Sequence, residues 1–295
     1  LEKKCCPQCR DNYLEKKEKI GENIWRIYSE QGNITYEGGL KNGEYNGYGK
    51  LFLKSGNVAY DGEFKDGLFN GYGTEYNSIG TVRYKGMFFE DLFCGHGILY
   101  CDSGNVIYEG EFKNGLYNGH GKIFLENGIM IYNGKFKDDL FNEYGTFYYN
   151  NGKIIQYKGE FKDGSFHGKG KDYFRSGKLK YEGEFVNDIY RGYGKEYYEN
   201  GKLKNEGNFK FGLCNGHCKR FFKSGKTKYE GEFKNGDYEG EGKSYYTNGA
   251  LKYEGEFRDG KLGENGIYYY NICYYNYNNI TFIEVNILIK KIRYY

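Results

Sequence analysis

Proline, alanine and tryptophan are nearly missing from these 295 residues: one Pro (Pro7), two Ala (Ala59, Ala250) and one Trp (Trp25). A helical protein draws freely on Ala, the best helix former. Its scarcity beside 47 Gly and 36 Tyr argues against mostly helical and α/β folds. Glycine without proline and without a three-residue period excludes collagen. No apolar run reaches the ~18 residues that mark a membrane-spanning helix. Neither sign of charge dominates, with 43 Lys+Arg against 40 Asp+Glu. The net +3 lacks the concentrated basic stripe of a nucleic-acid protein, so no nucleic-acid partner is expected. What is abundant is aromatic surface, 20% of the chain. Such a chain buries area and does not read as disordered. An all-β fold remains. The eight Cys follow no regular framework. They read as reduced thiols of a cytoplasmic protein.

The chain repeats itself. Aligned on Tyr-x-Gly-x-Phe, units begin at Tyr36, Tyr60, Tyr84, Tyr108, Tyr132, Tyr157, Tyr181, Asn205, Tyr229 and Tyr253. The step is 24 residues, except for 25 after Tyr132. The third position is Gly in every unit, the fifth is Phe except at Leu40, and the fourteenth is Gly except at Cys218. The seventeenth is always aromatic, as at Phe52, Phe124 and Tyr245. Each unit reads as one β-hairpin. The segment 178–185 alternates with the strand period of two, placing Tyr181, Gly183 and Phe185 on one face and Glu182 and Glu184 on the other. Asn114-Gly115 and Asp66-Gly67 supply residues that accept the positive φ of tight turns. Asn127-Gly128 turns the chain into the next unit. The mid-strand Gly at the third position implies a bend or a close aromatic approach. The pattern leaves the register open: the partner of Phe112 is His120 or Gly121, and the two choices put Phe124 on opposite faces.

The motif Tyr108-Glu109-Gly110-Glu111-Phe112-Lys113-Asn114-Gly115, followed by Gly119-His120-Gly121, resembles the MORN repeat (membrane occupation and recognition nexus). Ten in-phase copies cover residues 36–270. They differ from the usual repeat in their 24-residue period and in Phe at the fifth position, and runs such as Gly-Lys-Leu-Lys-Tyr-Glu-Gly-Glu-Phe at 177–185 resemble the MORN-variant repeats. The resemblance implies an elongated single sheet of stacked hairpins. On this reading residues 1–23 are an N-terminal tail or the end of a truncated zinc module. Residues 24–35 are an incomplete leading repeat, with Trp25 capping the first hairpin and Tyr28 and Gly32 at the aromatic and turn positions. Residues 271–295, where the period dissolves, are a capping strand or a tail.

Each chemically suggestive string competes with a plainer reading. Ser224-Gly225-Lys226-Thr227 and Gly242-Lys243-Ser244 carry the end of a phosphate-binding loop, but Arg220 and Asp237 stand where its first Gly belongs, so both read as turn residues. His96, His120 and His217 occupy the thirteenth position, where other units carry Tyr48, Tyr72 and Tyr193. With His167 they read as structural rather than as bases. Cys214, His217 and Cys218 form a compact string without the fourth ligand of a closed zinc site. Cys6 and Cys9 are a proper half-site for zinc, and Cys-Pro-x-Cys-Arg resembles the last ligand pair of a RING finger. No metal or other cofactor is expected for the chain as it stands.

Acidic second and fourth positions alternate with Lys at the sixth and fifteenth, a ladder that solvates one sheet face or offers it to a partner or to lipid headgroups. No acid, base and nucleophile set converges in the repeats, so a non-enzymatic scaffold is expected. It would bind protein partners, with phospholipid headgroups and a homodimer as further options, in the cytoplasm or peripherally at membrane or cytoskeleton. The resemblance implies two rival roles. One is the regulatory repeat region of a phosphatidylinositol-phosphate kinase or a SET methyltransferase. The other is an antitoxin-like MORN-variant protein.

Overall fold

A computed structural model describes residues 16–264, 266–273 and 284–290, the side chains of 271–273 and 284–290 excepted. The described residues are all-β, without a helix. They divide after Gly152 into two units, each taken by itself. The division falls where the 24-residue step gains its extra residue.

Unit 1 contains β1 (Lys16–Lys19), β2 (Ile24–Tyr28), β3 (Ile34–Lys41), β4 (Glu44–Phe52), β5 (Val58–Lys65), β6 (Leu68–Tyr76), β7 (Val82–Phe89), β8 (Leu92–Tyr100), β9 (Val106–Lys113), β10 (Leu116–Phe124), β11 (Met130–Lys137) and β12 (Leu140–Tyr148). Each strand pairs antiparallel with the next in sequence. Unit 2 repeats the meander through β13 (Ile155–Lys162), β14 (Ser165–Tyr173), β15 (Leu179–Val186), β16 (Ile189–Tyr197), β17 (Leu203–Lys210), β18 (Leu213–Phe221), β19 (Thr227–Lys234), β20 (Asp237–Tyr245) and β21 (Leu251–Arg258). β21 then pairs with both β22 (Lys261–Leu262) and β23 (Ile267–Cys273), and β23 with β24 (Glu284–Lys290). In the leading unit Trp25 of β2 stands opposite Gly38 of β3.

The hairpin 106–124 shows how sequence becomes shape. Asn114 and Gly115 take φ of 51° and 78°, the positive pair that a type I′ turn requires, and Lys113 faces Leu116 across it. Tyr117 then faces Phe112, but the next matched pair is Gly121 with Gly110. Three residues of β10 oppose only Glu111 of β9, so the strand carries a bulge of two extra residues, with Gly119 at φ 79°. This corrects both register options read from the sequence. Phe112 faces neither His120 nor Gly121 within its hairpin; it faces Tyr117, and across the preceding ladder it faces Gly95 of β8. At the other end, Leu125 and Ile129 close a loop in which Gly128 N–H donates to the Leu125 carbonyl at 2.8 Å. Gly128 takes φ 80° there.

The register aligns the third and fourteenth positions into one continuous row. Gly97, Gly110, Gly121 and Gly134 stand opposite one another across β8 to β11. The Tyr at the first position lies over this row. A Cβ at Gly121 would come within 2.6 Å of Cε2 and Cζ of Tyr108, and one at Gly110 within 2.5 Å of the His120 carbonyl oxygen. Gly121 has no positive φ, so it is glycine for space alone. Tyr36, Tyr60, Tyr84, Tyr108 and Tyr132 are fully buried in unit 1, and Tyr157, Tyr181, Tyr229 and Tyr253 in unit 2. Each buried phenol spends its polar end on the backbone: Tyr108 Oη donates to the Glu111 carbonyl at 2.8 Å, and Tyr132 Oη to that of Lys135 at 2.9 Å. The close aromatic approach implied by the invariant glycine is thus the source of the core. A single sheet covers itself by laying rings on a glycine track.

Candidate functional site

The repeats give each sheet two chemically different faces. On the core face the first-position Tyr of most repeats meets three rings, whereas Tyr36, whose repeat carries Leu40 in place of Phe, stacks on Tyr45 and meets Phe64. Tyr108 stacks on Tyr117 (centroids 3.7 Å apart, planes at 7°) and meets Phe112 and Phe136 edge-on at 5.0 and 5.4 Å. Phe136 belongs to the following repeat, so Tyr108 locks two repeats together, as Tyr60, Tyr84, Tyr157, Tyr181 and Tyr229 do through Phe88, Phe112, Phe185, Phe209 and Phe257. Such ring pairs contribute about 0.5–1.5 kcal/mol each beyond area burial. The stacking partner sits at the tenth position, which the sequence reading overlooked. The signal is there in Tyr45, Phe69, Phe93, Tyr117, Phe141, Phe166, Tyr190 and Tyr238. These rings remain half-buried and line the core face beside the sixteenth-position side chains.

The sixteenth position separates the two units. In unit 1 it carries Leu51, Leu99, Ile123 and Phe147, with Glu75 held by Arg83 at 2.7 Å. In unit 2 it carries Asp172, Glu196, Arg220 and Ser244, and an aromatic only in the last repeat, at Tyr268. Lys180 pairs with Asp172 at 2.9 Å and Lys204 with Glu196 at 2.7 Å. Here the repeat beginning at Asn205 departs from the others at several linked positions. Asn205 replaces Tyr, Cys214 replaces the stacking ring, and Cys218 replaces the fourteenth Gly. All three are buried. Cys218 Sγ fills the space above Gly207 that a tyrosine ring fills elsewhere, and donates to the Asn208 carbonyl at 3.0 Å. Arg220 Nε donates to Asn205 Oδ1 at 2.8 Å, and its guanidinium lies 4.8 Å from the centroid of Phe233. Contact with Cys214, together with burial, holds the Cys218 thiol well above the ordinary thiol range. The Cys218 thiol and then Arg220 pull Cys214 the other way.

The outer face is polar. Its second and fifteenth positions form cross-strand ion pairs, Lys50–Asp61 at 3.2 Å, Lys122–Glu109 at 3.3 Å and Lys243–Glu254 at 3.0 Å. The fourth-position Glu has a different task. In three repeats its carboxylate accepts a backbone N–H that the bulge leaves over: Glu63 from Tyr72 at 3.2 Å, Glu111 from His120 at 2.9 Å and Glu160 from Lys169 at 3.0 Å. That carboxylate lies over the twelfth-position Gly, as a Cβ at Gly119 would show by meeting Glu111 Oε2 at 2.6 Å. Repeat 132–156 moves the carboxylate to the twelfth position, where Glu143 pairs with Lys135 at the fourth. Glu143 is therefore a compensated change. Asp91 and Asp139 are placed too. They stand where other turns have Gly, and their carboxylates accept the N–H of Phe69 and Tyr117 in the preceding repeat at 2.8 and 2.7 Å.

The structure separates the sequence's ligand-like strings. His217 is exposed on the outer face, its Nδ1 3.5 Å from Glu232, while Cys214 and Cys218 are buried on the core face. His96 and His120 are likewise exposed, and His167 lies at the eleventh position with Nδ1 buried and unpartnered. Gly225 sits in a hairpin loop at φ 92°, and Lys226 Nζ donates to the Asn248 carbonyl at 2.5 Å. Gly242-Lys243-Ser244 is not a turn, as the sequence had suggested, but the middle of β20, with Gly242 in the glycine row. Cys6 and Cys9 lie outside the described residues.

No curated protein matches the chain. Two family models do. The MORN repeat matches residues 36–58, 60–82, 84–106, 108–130, 132–154, 229–251 and 253–272. The MORN repeat variant matches 166–187, 191–211 and 215–235. The matched segments fall on the hairpins just described, those of the first model alone cover more than half of the sequence, and the chain belongs to the MORN-repeat family.

Proposed function

We propose that the chain is a non-enzymatic scaffold that presents its repeated outer face to protein partners in the cytoplasm, peripherally at a membrane or the cytoskeleton. The observation that supports this best is the thirteenth-position row. Tyr48, Tyr72, His96, His120 and Tyr144 are exposed in five successive repeats of unit 1, on the same face, 24 residues apart. Tyr offers large contact area with few rotatable bonds, which suits protein recognition. Many groups with chemical potential are engaged in the fold: the buried first-position phenols on backbone carbonyls, Glu111 and Glu160 on bulge N–H groups, and Lys50, Lys122 and Lys243 in ion pairs. A repeated surface of this kind also suits a second copy of the chain or lipid headgroups. Both are secondary to protein binding here, because the exposed charges alternate in sign.

Partners captured by the full chain should be released stepwise by Tyr48→Ser, Tyr144→Ser and Tyr193→Ser. Each of these exposed changes should alter stability by no more than about 0.5 kcal/mol. A purified chain that by itself phosphorylates a phosphatidylinositol phosphate or methylates a protein overturns the proposal.

A further inference from the structure

The outer face of unit 1 is not uniform. The fourth position is Glu in six repeats, the sixth Lys or Arg in eight, and the fifteenth Lys in six. The repeat beginning at Tyr84 abandons all three at once, with Met87, Phe89 and Ile98. Strand alternation keeps these on the outer face. Met87 and Phe89 are 41% and 56% exposed, and Tyr72, directly opposite Met87 on β6, is 49% exposed. Single exposed apolar residues are ordinary. Here three changes of kind at charged positions gather with Tyr72 on adjoining strands. That gives three adjoining strands an apolar character within a salt-bridged face, the usual mark of an interaction site.

The patch has a charge of its own. A cross-strand row runs Asp61, Thr74, Lys85, Ile98, Glu109 through β5 to β9. Asp61 is already paired to Lys50 and Glu109 to Lys122. The Lys85 side chain, exposed between Thr74 and Ile98, has no ion pair or hydrogen bond among the described residues. Along β7, Lys85, Met87 and Phe89 follow one another at about 6.6 Å per step. β7 is hydrogen-bonded on both sides, by β6 and β8, so an incoming segment cannot add as a strand and must dock by side chains. One free cation between two acids is a poor surface for an anionic bilayer. It matches a single carboxylate.

We propose that the outer face of β6 to β8 docks a peptide segment of a partner protein that carries apolar side chains next to a carboxylate. The apolar groups cover Tyr72, Met87, Phe89 and Ile98, and the carboxylate pairs with Lys85. This rests on the binding-scaffold reading and adds to it the repeat that docks and the chemistry it selects.

The test pans a random-peptide display library on the immobilised full chain. The native chain should enrich peptides with paired apolar residues beside Asp or Glu. Synthetic versions should bind the triple variant Met87→Glu, Phe89→Lys, Ile98→Lys at least about tenfold more weakly. That variant installs the residue most other repeats carry at each position, and its unfolding midpoint verifies the fold. Lys85→Glu should enrich peptides with Lys or Arg in place of the acid. Enriched peptides that bind the triple variant as tightly as the native chain overturn this proposal and leave the scaffold reading intact. A library that yields no binder to the native chain counts against both. Binding to phosphatidylserine vesicles that the triple variant loses reassigns the patch to lipid and overturns the peptide proposal.

Discussion

Gly121→Ala should destabilise unit 1 by about 3–5 kcal/mol, although it adds one methyl group at a position without a positive φ. The new Cβ would lie 2.6 Å from Cε2 and Cζ of Tyr108. That ring cannot step aside. It is stacked on Tyr117 and held edge-on by Phe112 and Phe136. Expelling it forfeits a fully buried tyrosine and its hydrogen bond to the Glu111 carbonyl. The contrasting substitution is Gly104→Ala. A Cβ there meets nothing within 4 Å, and the cost comes only from φ +82°, about 1 kcal/mol. Urea unfolding midpoints compare the two directly. Equal losses would mean that the glycine row serves backbone freedom rather than ring packing.

Alkaline pH should unfold the protein cooperatively. Burial is the main cause that raises the phenols of Tyr36, Tyr60, Tyr84, Tyr108 and Tyr132 well above the ordinary value of 10.0. Burial also pushes Tyr117 up to about 12. The sign follows from proton linkage. Below the unfolded value both states hold the proton, and the stabilisation is complete. Above it the unfolded chain ionises while the folded chain does not, so stability falls as pH rises toward the folded values. Each buried phenol then removes about 1.4 kcal/mol per pH unit. Five together remove about 7 kcal/mol by roughly pH 11, comparable with the whole stability of a typical domain. Tyrosinate absorbance and circular dichroism should therefore change together in one steep step. Gradual ionisation of all tyrosines with the strand signal retained would show that these rings are not sealed in the fold.

The period, the hairpins, the Asn-Gly turns and the face shared by Tyr108, Gly110 and Phe112 were all legible, because each is a local property of chain chemistry. The register was not. It depends on two residues bulged out before Gly121, and the Gly119 that permits the bulge looks in sequence like any turn glycine. The same bulge hid the tenth-position ring. Tyr117 comes level with Tyr108 only after the strand has bent, whereas the seventeenth-position aromatics drew attention by their regularity and are only half-buried. It also made Cys214, His217 and Cys218 look like one ligand set, although Phe209 and Gly207 on the partner strand hold the two cysteines to one face and His217 faces Glu232 on the other. The apolar patch at Met87, Phe89 and Ile98 was visible letter by letter. It gains meaning only when the cross-strand row shows Lys85 without an acid.

The central claim is that the tyrosine ring and the bare glycine row are one device, each requiring the other. The protein itself carries the exception, since the only fourteenth position that is not Gly, Cys218, belongs to the only repeat that begins with Asn205 instead of Tyr. A double-mutant cycle with Tyr108→Asn and Gly121→Cys measures that dependence directly. Each single change should cost about 3 kcal/mol or more, one by leaving a cavity and the other by overfilling it. The double variant should lose at least about 1 kcal/mol less than the sum, because the cysteine occupies the space the ring vacates. Additivity within about 0.5 kcal/mol would contradict the account.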